Sequence, residues 1–163
     1  MWNSGVAKDL GTLTGDCGSR AMGINSQGQI VGHAFSCPDF SFHHALLWEH
    51  SSIADMNALI PKDSPLQLAF ANDINDQGEI AGMGVPPGID PSNVLTEGHA
   101  FLLIPCDENH QNLDGCDYSM VDVNITTSFQ STAGQALGYK PPTESLRQIN
   151  NRFRVRPIPV KGK

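Results

Sequence analysis

The chain has 163 residues, of which 39% are hydrophobic and 17% charged, a composition that fits one domain able to bury its own core. The net charge of −7 argues against a nucleic-acid binder, because such a protein needs a basic surface. No apolar run approaches the roughly 20 residues that a helix needs to cross a bilayer, so we expect no membrane span.

The first predicted elements are two β-hairpins with nearly the same amino-acid sequence. Residues 21–32 read AMGINSQGQIVG, and residues 71–82 read ANDINDQGEIAG. In each copy a polar stretch with a glycine separates two short apolar stretches, which is typical of a hairpin. The glycine can adopt the positive φ of such a turn, and the asparagine can hydrogen-bond its own backbone.

The next predicted elements are strands that also recur. Residues 44–48 read HALLW, residues 99–103 read HAFLL, and both are apolar runs of strand length. A turn at 49–52 then leads into a short fourth strand around 53–57. We therefore predict units of four antiparallel strands. Each unit has a long loop between its second and third strands, at 35–42 and 85–97.

A third motif sets the period. DLGTL at 9–13 begins seven residues after Trp2, and DMNAL at 55–59 begins seven residues after Trp48. A period of about 46 to 55 residues is in the range of propellers and stacked arrays. The predicted β domain covers 1–122, with units at about 1–59 and 60–106 and a cysteine loop at 106–116. The predicted tail, 123–163, is either linker-like or packed on the body.

The motif combination resembles the HAF-repeat family, whose His-Ala-Phe triplet stands here at 99–101 and as His-Ala-Leu at 44–46. The family consists mostly of exported bacterial proteins with several repeats in tandem. The resemblance implies that the units are propeller-like blades. We therefore predict an all-β fold of about two propeller-like, antiparallel four-stranded units, followed by a C-terminal tail whose composition indicates a loose structure.

Two such units cannot close a ring, so their edges and faces need another cover. Three solutions are open: self-association, a compact two-sheet barrel, or a tail folded back over the edge. We favour a homo-oligomer, most simply a dimer, because one surface can then serve twice. The segment 9–13 resembles the end of a preceding unit, and we expect it to pair with a sheet edge.

Four cysteines stand at positions 17, 37, 106 and 116, and they allow three pairings. Pairing between neighbours, Cys17 with Cys37 and Cys106 with Cys116, is the simplest. The even count favours disulfides and an oxidising compartment, the alternative being four reduced buried thiols. Together with the resemblance, it predicts an extracytoplasmic or secreted protein whose export signal is absent from this chain.

Oxygen ligands cluster at the second hairpin turn, where Asp73, Asn75 and Asp76 stand close together and Asn25 occupies the equivalent first turn. Carboxylate and amide oxygens are the ligands of Ca²⁺, so these four residues are the candidate metal ligands. In the alternative interpretation the asparagines fold their own turns and the acids are solvated. The acidic cysteine loop is a second group of this kind.

Two functions from different classes follow. Propeller folds host calcium-dependent lactonases and esterases, which suggests a Ca²⁺-dependent hydrolase of a small lactone or ester with His99 and Asp73 as catalytic residues. His99 also has a structural alternative, a neutral imidazole bonded to a backbone carbonyl. The alternative function is a non-catalytic extracytoplasmic β-repeat module for binding or scaffolding.

Overall fold

The computed structural model describes residues 5, 7–37, 43–111, 113, 114, 116 and 152–157. These residues form two four-stranded antiparallel sheets, and in each sheet the strands lie side by side in the order in which they follow along the chain. Sheet 1 contains β1 (Asp16–Ile24), β2 (Ile30–Ser36), β3 (His43–Glu49) and β4 (Ser52–Asp55). Sheet 2 contains β5 (Gln67–Ile74), β6 (Ile80–Val85), β7 (His99–Pro105) and β8 (Phe153–Pro157). The all-β prediction with two four-stranded units is confirmed.

The two predicted hairpin turns have the same backbone geometry. Gly28 and Gly78 both have a φ of 77°, in the left-handed region that favours glycine. The Gly28 N–H donates to the Asn25 carbonyl at 3.1 Å, and the Gly78 N–H donates to the Asn75 carbonyl at 3.0 Å. The sequence repeat is therefore a structural repeat.

The main core lies between the two sheets. Val31, Ala45 and Leu47 supply it from the inner face of sheet 1, and all three are fully buried. The facing side of sheet 2 contributes one apolar residue after another: Leu68, Ala71, Ile74, Ile80, Phe101, Leu103 and Phe153. A 3-10 turn, Met56–Ala58, follows β4, and Met56 and Leu59 enter the same core.

The segment 9–13 is the structural counterpart of 55–59. Asp9 Oδ1 accepts a hydrogen bond from the Gly11 N–H at 2.9 Å, and Asp55 Oδ1 accepts one from the Asn57 N–H at 2.8 Å. Leu10 and Leu13 pack on the outer face of sheet 1, against the buried residues Ala34, Leu46 and Trp48. Among the described residues this segment pairs with no sheet edge of its own chain, contrary to one form of the prediction, and pairing with an edge of a second copy stays a prediction. The two leucines bury more apolar surface on a sheet face than at an edge.

The fourth strand of sheet 2 comes from far along the chain. In β8, Phe153 pairs with Pro105 and Val155 with Leu103 of β7. The Phe153 N–H also donates to the Leu59 carbonyl at 3.2 Å. Residues 152–157 lie in the predicted tail and pack on the body, so the chain folds back over one edge of sheet 2. The sequence also allows a short helix in that tail around 143–150, which lies outside the described residues.

The predicted loop 85–97 is ordered by two short turns, a 3-10 helix at Pro91–Asn93 and α1 at Val94–Glu97. Val94 and Ile89 of this loop pack on Ala69 and Val85 of sheet 2. Of the other predicted loop, 38–42 lie outside the described residues.

The disulfides join Cys17 to Cys37 and Cys106 to Cys116, with Cα–Cα distances of 5.2 and 5.5 Å. This is the predicted neighbour pairing. Within the described parts of the chain, no helix has the length and apolar character needed to cross a bilayer.

Candidate functional site

The two hairpin turns touch each other at the junction of the units. Asn25 Nδ2 donates to the Asn75 carbonyl at 3.2 Å, and the Ser26 N–H donates to Asp76 Oδ1 at 2.8 Å. Gln27 Nε2 donates to the Asp76 carbonyl at 3.1 Å. Three of the four predicted metal ligands are thus brought together, although Asn25 stands fifty positions before Asn75 and its neighbour Asp76.

The amide oxygens of Asn25 and Asn75 are used within their own turns. Asn25 Oδ1 accepts the backbone N–H groups of Gln27 and Gln29 at 3.1 and 3.0 Å. Asn75 Oδ1 accepts those of Gln77 and Glu79 at 3.0 and 2.9 Å. Both asparagines therefore have the turn-forming role of the alternative interpretation.

Asp76 remains charged at neutral pH. The backbone N–H of Ser26 and then the Ser26 side chain hydrogen-bond to its carboxylate, which lowers the pKa of Asp76 below its ordinary value of 3.8. The side chain is exposed, so the charge is available to a ligand.

A cleft of about 170 Å³ opens beside this contact. Four segments form it: both hairpin turns, the start of the cysteine loop, and the residues that lead into β8. Most of the lining side chains end in amides or carboxylates. The lining residues are Gln27, Gln29, Asp76, Gln77, Gly78, Pro105, Cys106, Asp107, Asn109, Arg152 and Phe153.

An ion pair supports one wall of the cleft. Arg152 donates two hydrogen bonds to Glu49, from Nη1 to Oε1 and from Nη2 to Oε2, and Gln29 Nε2 adds a third at 3.0 Å. Burial by itself would raise the pKa of Glu49. The hydrogen bonds from Arg152 and Gln29, with the positive charge of Arg152, outweigh burial and lower the pKa below its ordinary value of 4.5.

A histidine adjoins the same region. His110 Nδ1 lies 2.7 Å from Asp107 Oδ1, and its Nε2 lies 3.6 Å from Glu79 Oε1. Glu79 in turn accepts a hydrogen bond from Asn75 Nδ2 at 2.6 Å. Sequence reasoning did not select His110. The available signal was its position three residues after Asp107 in the acidic cysteine loop.

The predicted catalytic pair lies elsewhere. Asp73 pairs with Ala81 and His99 with Gly84, on opposite sides of β6 and three residues apart along it. Strand spacing places their Cα atoms on the order of 14 Å apart, too far for a direct hydrogen bond. Both residues are exposed, and neither lines the cleft.

A second histidine lies between two carboxylates on sheet 1. His44 Nε2 is 3.8 Å from Asp16 Oδ1, and its Nδ1 is 3.4 Å from Asp55 Oδ2. The two carboxylates are on opposite sides of the ring, so they cannot share one metal ion with it. Among the residues that the structure describes, no three His, Cys, Asp or Glu side chains are grouped to hold a metal ion.

Comparison of the chain with family models, curated proteins and solved structures finds no match. The resemblance to the HAF-repeat family stays a prediction based on the repeated motifs. Function is therefore inferred from the cleft and from the geometry of the repeats.

Proposed function

We propose that this protein is a non-catalytic extracytoplasmic β-repeat module that binds a small polar ligand in the cleft between its two units. One observation carries the proposal: amide and carboxylate side chains from both units and from the cysteine loop make up most of the cleft lining, and Arg152 and Phe153 of the β8 segment complete it. A concave site with convergent polar groups is the usual form of a small-molecule site.

The walls of the cleft are held in place before any ligand arrives. Asp76 accepts the Ser26 N–H, Gln27 donates to the Asp76 carbonyl, and Gln29 donates to Glu49. A preorganised wall lowers the entropic cost of binding, because fewer side chains must be ordered with the ligand.

The charges in the cleft favour a ligand that donates hydrogen bonds. Asp76 and Asp107 are acceptors, whereas the positive charge of Arg152 is matched by Glu49. Glutamine amides supply both donors and acceptors. Small polyhydroxylated molecules, the sugar class, fit this chemistry better than anions.

The proposed location rests on the cysteines. The two disulfides are of the kind that persists in oxidising compartments. A binding module outside the cytoplasm agrees with both pairs.

A calcium-dependent lactone or ester hydrolase is the second candidate. The observation that favours it is the presence of two carboxylates, Asp76 and Asp107, in one cleft, with Asp76 held ionised. In this form of the hypothesis the ion binds near Asp76 and polarises a carbonyl oxygen. Asp73 and His99 lie outside the cleft, which makes His110 the nearer imidazole.

One set of titrations separates the two candidates. Calorimetry and NMR are run with a panel of mono- and disaccharides and with CaCl₂. Hydrolysis of chromogenic esters and lactones is followed with Ca²⁺ and with chelator. The binding module predicts shifts in the amide signals of Gln27 and Gln77 with a sugar, and no turnover.

Three variants assign the result to the cleft. Asp76→Ala and Asp107→Ala should weaken sugar binding at least tenfold. Asp114→Ala, an exposed acid of the same cysteine loop that does not line the cleft, is the matched control. Chelator-sensitive turnover that Asp76→Ala abolishes would replace the binding module with the hydrolase.

A further inference from the structure

The same repeat position has different surroundings in the two units. Ile24 and Ile74 both end the first strand of their unit, directly before the hairpin asparagine. Ile74 is 5% exposed within the core between the sheets, whereas Ile24 is 65% exposed. Ile24 pairs with Ile30 on the outer face of sheet 1, where the described residues supply no second sheet.

Other residues of that face also correspond to residues that lie in the core between the sheets in the second unit. Ile80 and Leu103 are fully buried between the sheets, and their counterparts Ile30 and Trp48 lie on the outer face of sheet 1. Leu10 and Leu13 cover part of this face, as Met56 and Leu59 do inside the internal interface. This face therefore carries the apolar residues of one half of a sheet-to-sheet contact.

The complementary half is found on the outer face of sheet 2. Ala45 and Leu47 are fully buried in the internal interface, and their counterparts are Ala100 and Leu102. Ala100 is exposed and Leu102 is partly exposed. The loop 86–97 packs at the Val85 end of this sheet, and within the described part of the chain neither Ala100 nor Leu102 belongs to that cluster. Both halves of the internal interface therefore recur at the two ends of the described fold, and each retains exposed positions, Ile24 on one face and Ala100 on the other.

A second cavity lies on the outer face of sheet 1, at the repeat position of the junction cleft. It has a volume of about 210 Å³ and is lined by Gly28, Trp48 and His50, among others. Gly28 corresponds to Gly78 of the cleft, and His50 to Pro105. The indole N–H of Trp48 is buried without a hydrogen-bond partner in the described part of the chain.

One wall distinguishes the cavity from the cleft. In the cleft, Gln27 and Gln29 of the neighbouring unit face Gly78 and Pro105. Their repeat counterparts are Gln77 and Glu79, and neither lines the second cavity. This cavity is an incomplete copy of the junction cleft.

We propose that copies of this chain associate head to tail, with the outer face of sheet 2 of one copy packed on the outer face of sheet 1 of the next. The contact repeats the internal interface and is a packing of sheet faces, unlike the strand pairing expected of an edge. The added copy brings Gln77 and Glu79 to the second cavity and completes it as a second polar cleft, with the Glu79 carboxylate near His50. The association does not depend on whether the junction cleft binds a ligand.

The contact joins two different surfaces, so it closes into a ring or continues as a chain of copies. Closed propellers contain roughly four to eight four-stranded sheets, which corresponds to about two to four copies of this two-sheet protein. Size exclusion with light scattering should therefore give two to four times the single-chain mass of 17.5 kDa.

Ile24→Asp and Ala100→Arg each block one face. Both positions are exposed in the single chain, so circular dichroism should show an intact fold, and each variant should give a mass near 17.5 kDa. Leu95→Asp, at a residue that is 80% exposed on α1 and belongs to neither face, should retain the parent mass.

Mixing the two blocked variants tests the direction of the contact. Ile24→Asp keeps its sheet 2 face, and Ala100→Arg keeps its sheet 1 face, so an equimolar mixture should form a species of two chains and no larger one. A mixture that stays monomeric overturns the head-to-tail contact. A parent protein that remains at 17.5 kDa over a wide concentration range overturns the association itself.

Discussion

Arg152 donates two hydrogen bonds to Glu49, which stands 103 positions earlier in the chain. Glu49 ends β3 of sheet 1, and Arg152 directly precedes β8 of sheet 2. The backbone carbonyl of Arg152 also accepts the Cys106 N–H at 2.8 Å. One residue thus joins both sheets and the cysteine loop, and it forms part of the cleft wall. Completion of sheet 2 and formation of the cleft are therefore coupled.

Replacing Glu49 by Gln should lower the free energy of unfolding at pH 7 by about 1 kcal/mol, because Arg152 loses its charged partner while remaining about one-third exposed. Folding lowers the pKa of Glu49, so its ionised form contributes stability above its ordinary pKa of 4.5. That contribution is lost as the pH falls through the lower, folded-state pKa. Urea unfolding at pH 7 and pH 3 measures the effect.

The difference between the parent protein and Glu49→Gln should narrow at pH 3. Glu97→Gln, at an exposed acid of α1, is the control and should change stability little at either pH. An equal loss from Glu49→Gln at both pH values would mean that packing, and not charge, is the contribution of Glu49.

Asn25→Ala should destabilise the protein more than the matched change Asn75→Ala. Asn25 is 8% exposed, accepts two backbone N–H groups and donates to the Asn75 carbonyl of the other unit. Losing these bonds leaves buried groups unpaired, for a cost of about 2–3 kcal/mol. Asn75 is exposed, so water can replace its bonds, and a loss below about 1 kcal/mol is expected. Thermal denaturation of the two variants side by side tests the order, and equal losses would contradict a bridging role for Asn25.

Phe153→Ala should cost about 3–5 kcal/mol, because the ring is 2% exposed in the core between the sheets. Leu95→Ala also removes a large apolar side chain, but at a residue that is 80% exposed, and it should change stability by less than about 0.5 kcal/mol. Chemical denaturation gives both values. If the two variants unfolded at the same urea concentration, β8 would not be part of the folded core.

The disulfides should be intact in protein purified without reductant. Intact mass after denaturation and alkylation should then show no added label, and four labels should appear after reduction. Chain entropy predicts that each bridge stabilises the fold by roughly 3 kcal/mol, since the bridged residues lie 20 and 10 positions apart. Four alkylated thiols without prior reduction would argue for a reducing compartment.

The local features of the fold could be predicted from the sequence. The Asn25–Gly28 and Asn75–Gly78 turns depend on a glycine that adopts positive φ and an asparagine that bonds its own backbone. Both requirements are met within five residues, so the turns can be predicted from a short stretch of sequence. The apolar runs of β3 and β7 are continuous stretches of sequence, and each disulfide joins cysteines that are neighbours along the chain. These features could therefore also be predicted from the sequence.

The candidate site was predictable only in part. The turns at Asn25, Asn75 and Asp76 do meet, but the wall that Arg152 and Glu49 support needs a strand from the far end of the chain. No local feature of the sequence indicates whether Asp73 and His99 lie close together. The strand register places them on opposite sides of β6. His110, Asp107 and Glu79 approach one another because the cysteine loop folds against the second turn.

The sequence by itself determined the repeat: two hairpins with the same turn chemistry, the recurring apolar strands β3 and β7, and the neighbour pairing of the cysteines. Tertiary structure alone decided that β8 completes sheet 2, and that Ile24 and Ile74 have opposite exposures. The physical reason is that turn formation depends on a few adjacent residues, whereas burial depends on whichever surface packs opposite. The same residue at the same repeat position therefore has different surroundings in the two units, because a neighbouring sheet packs on only one side of each unit.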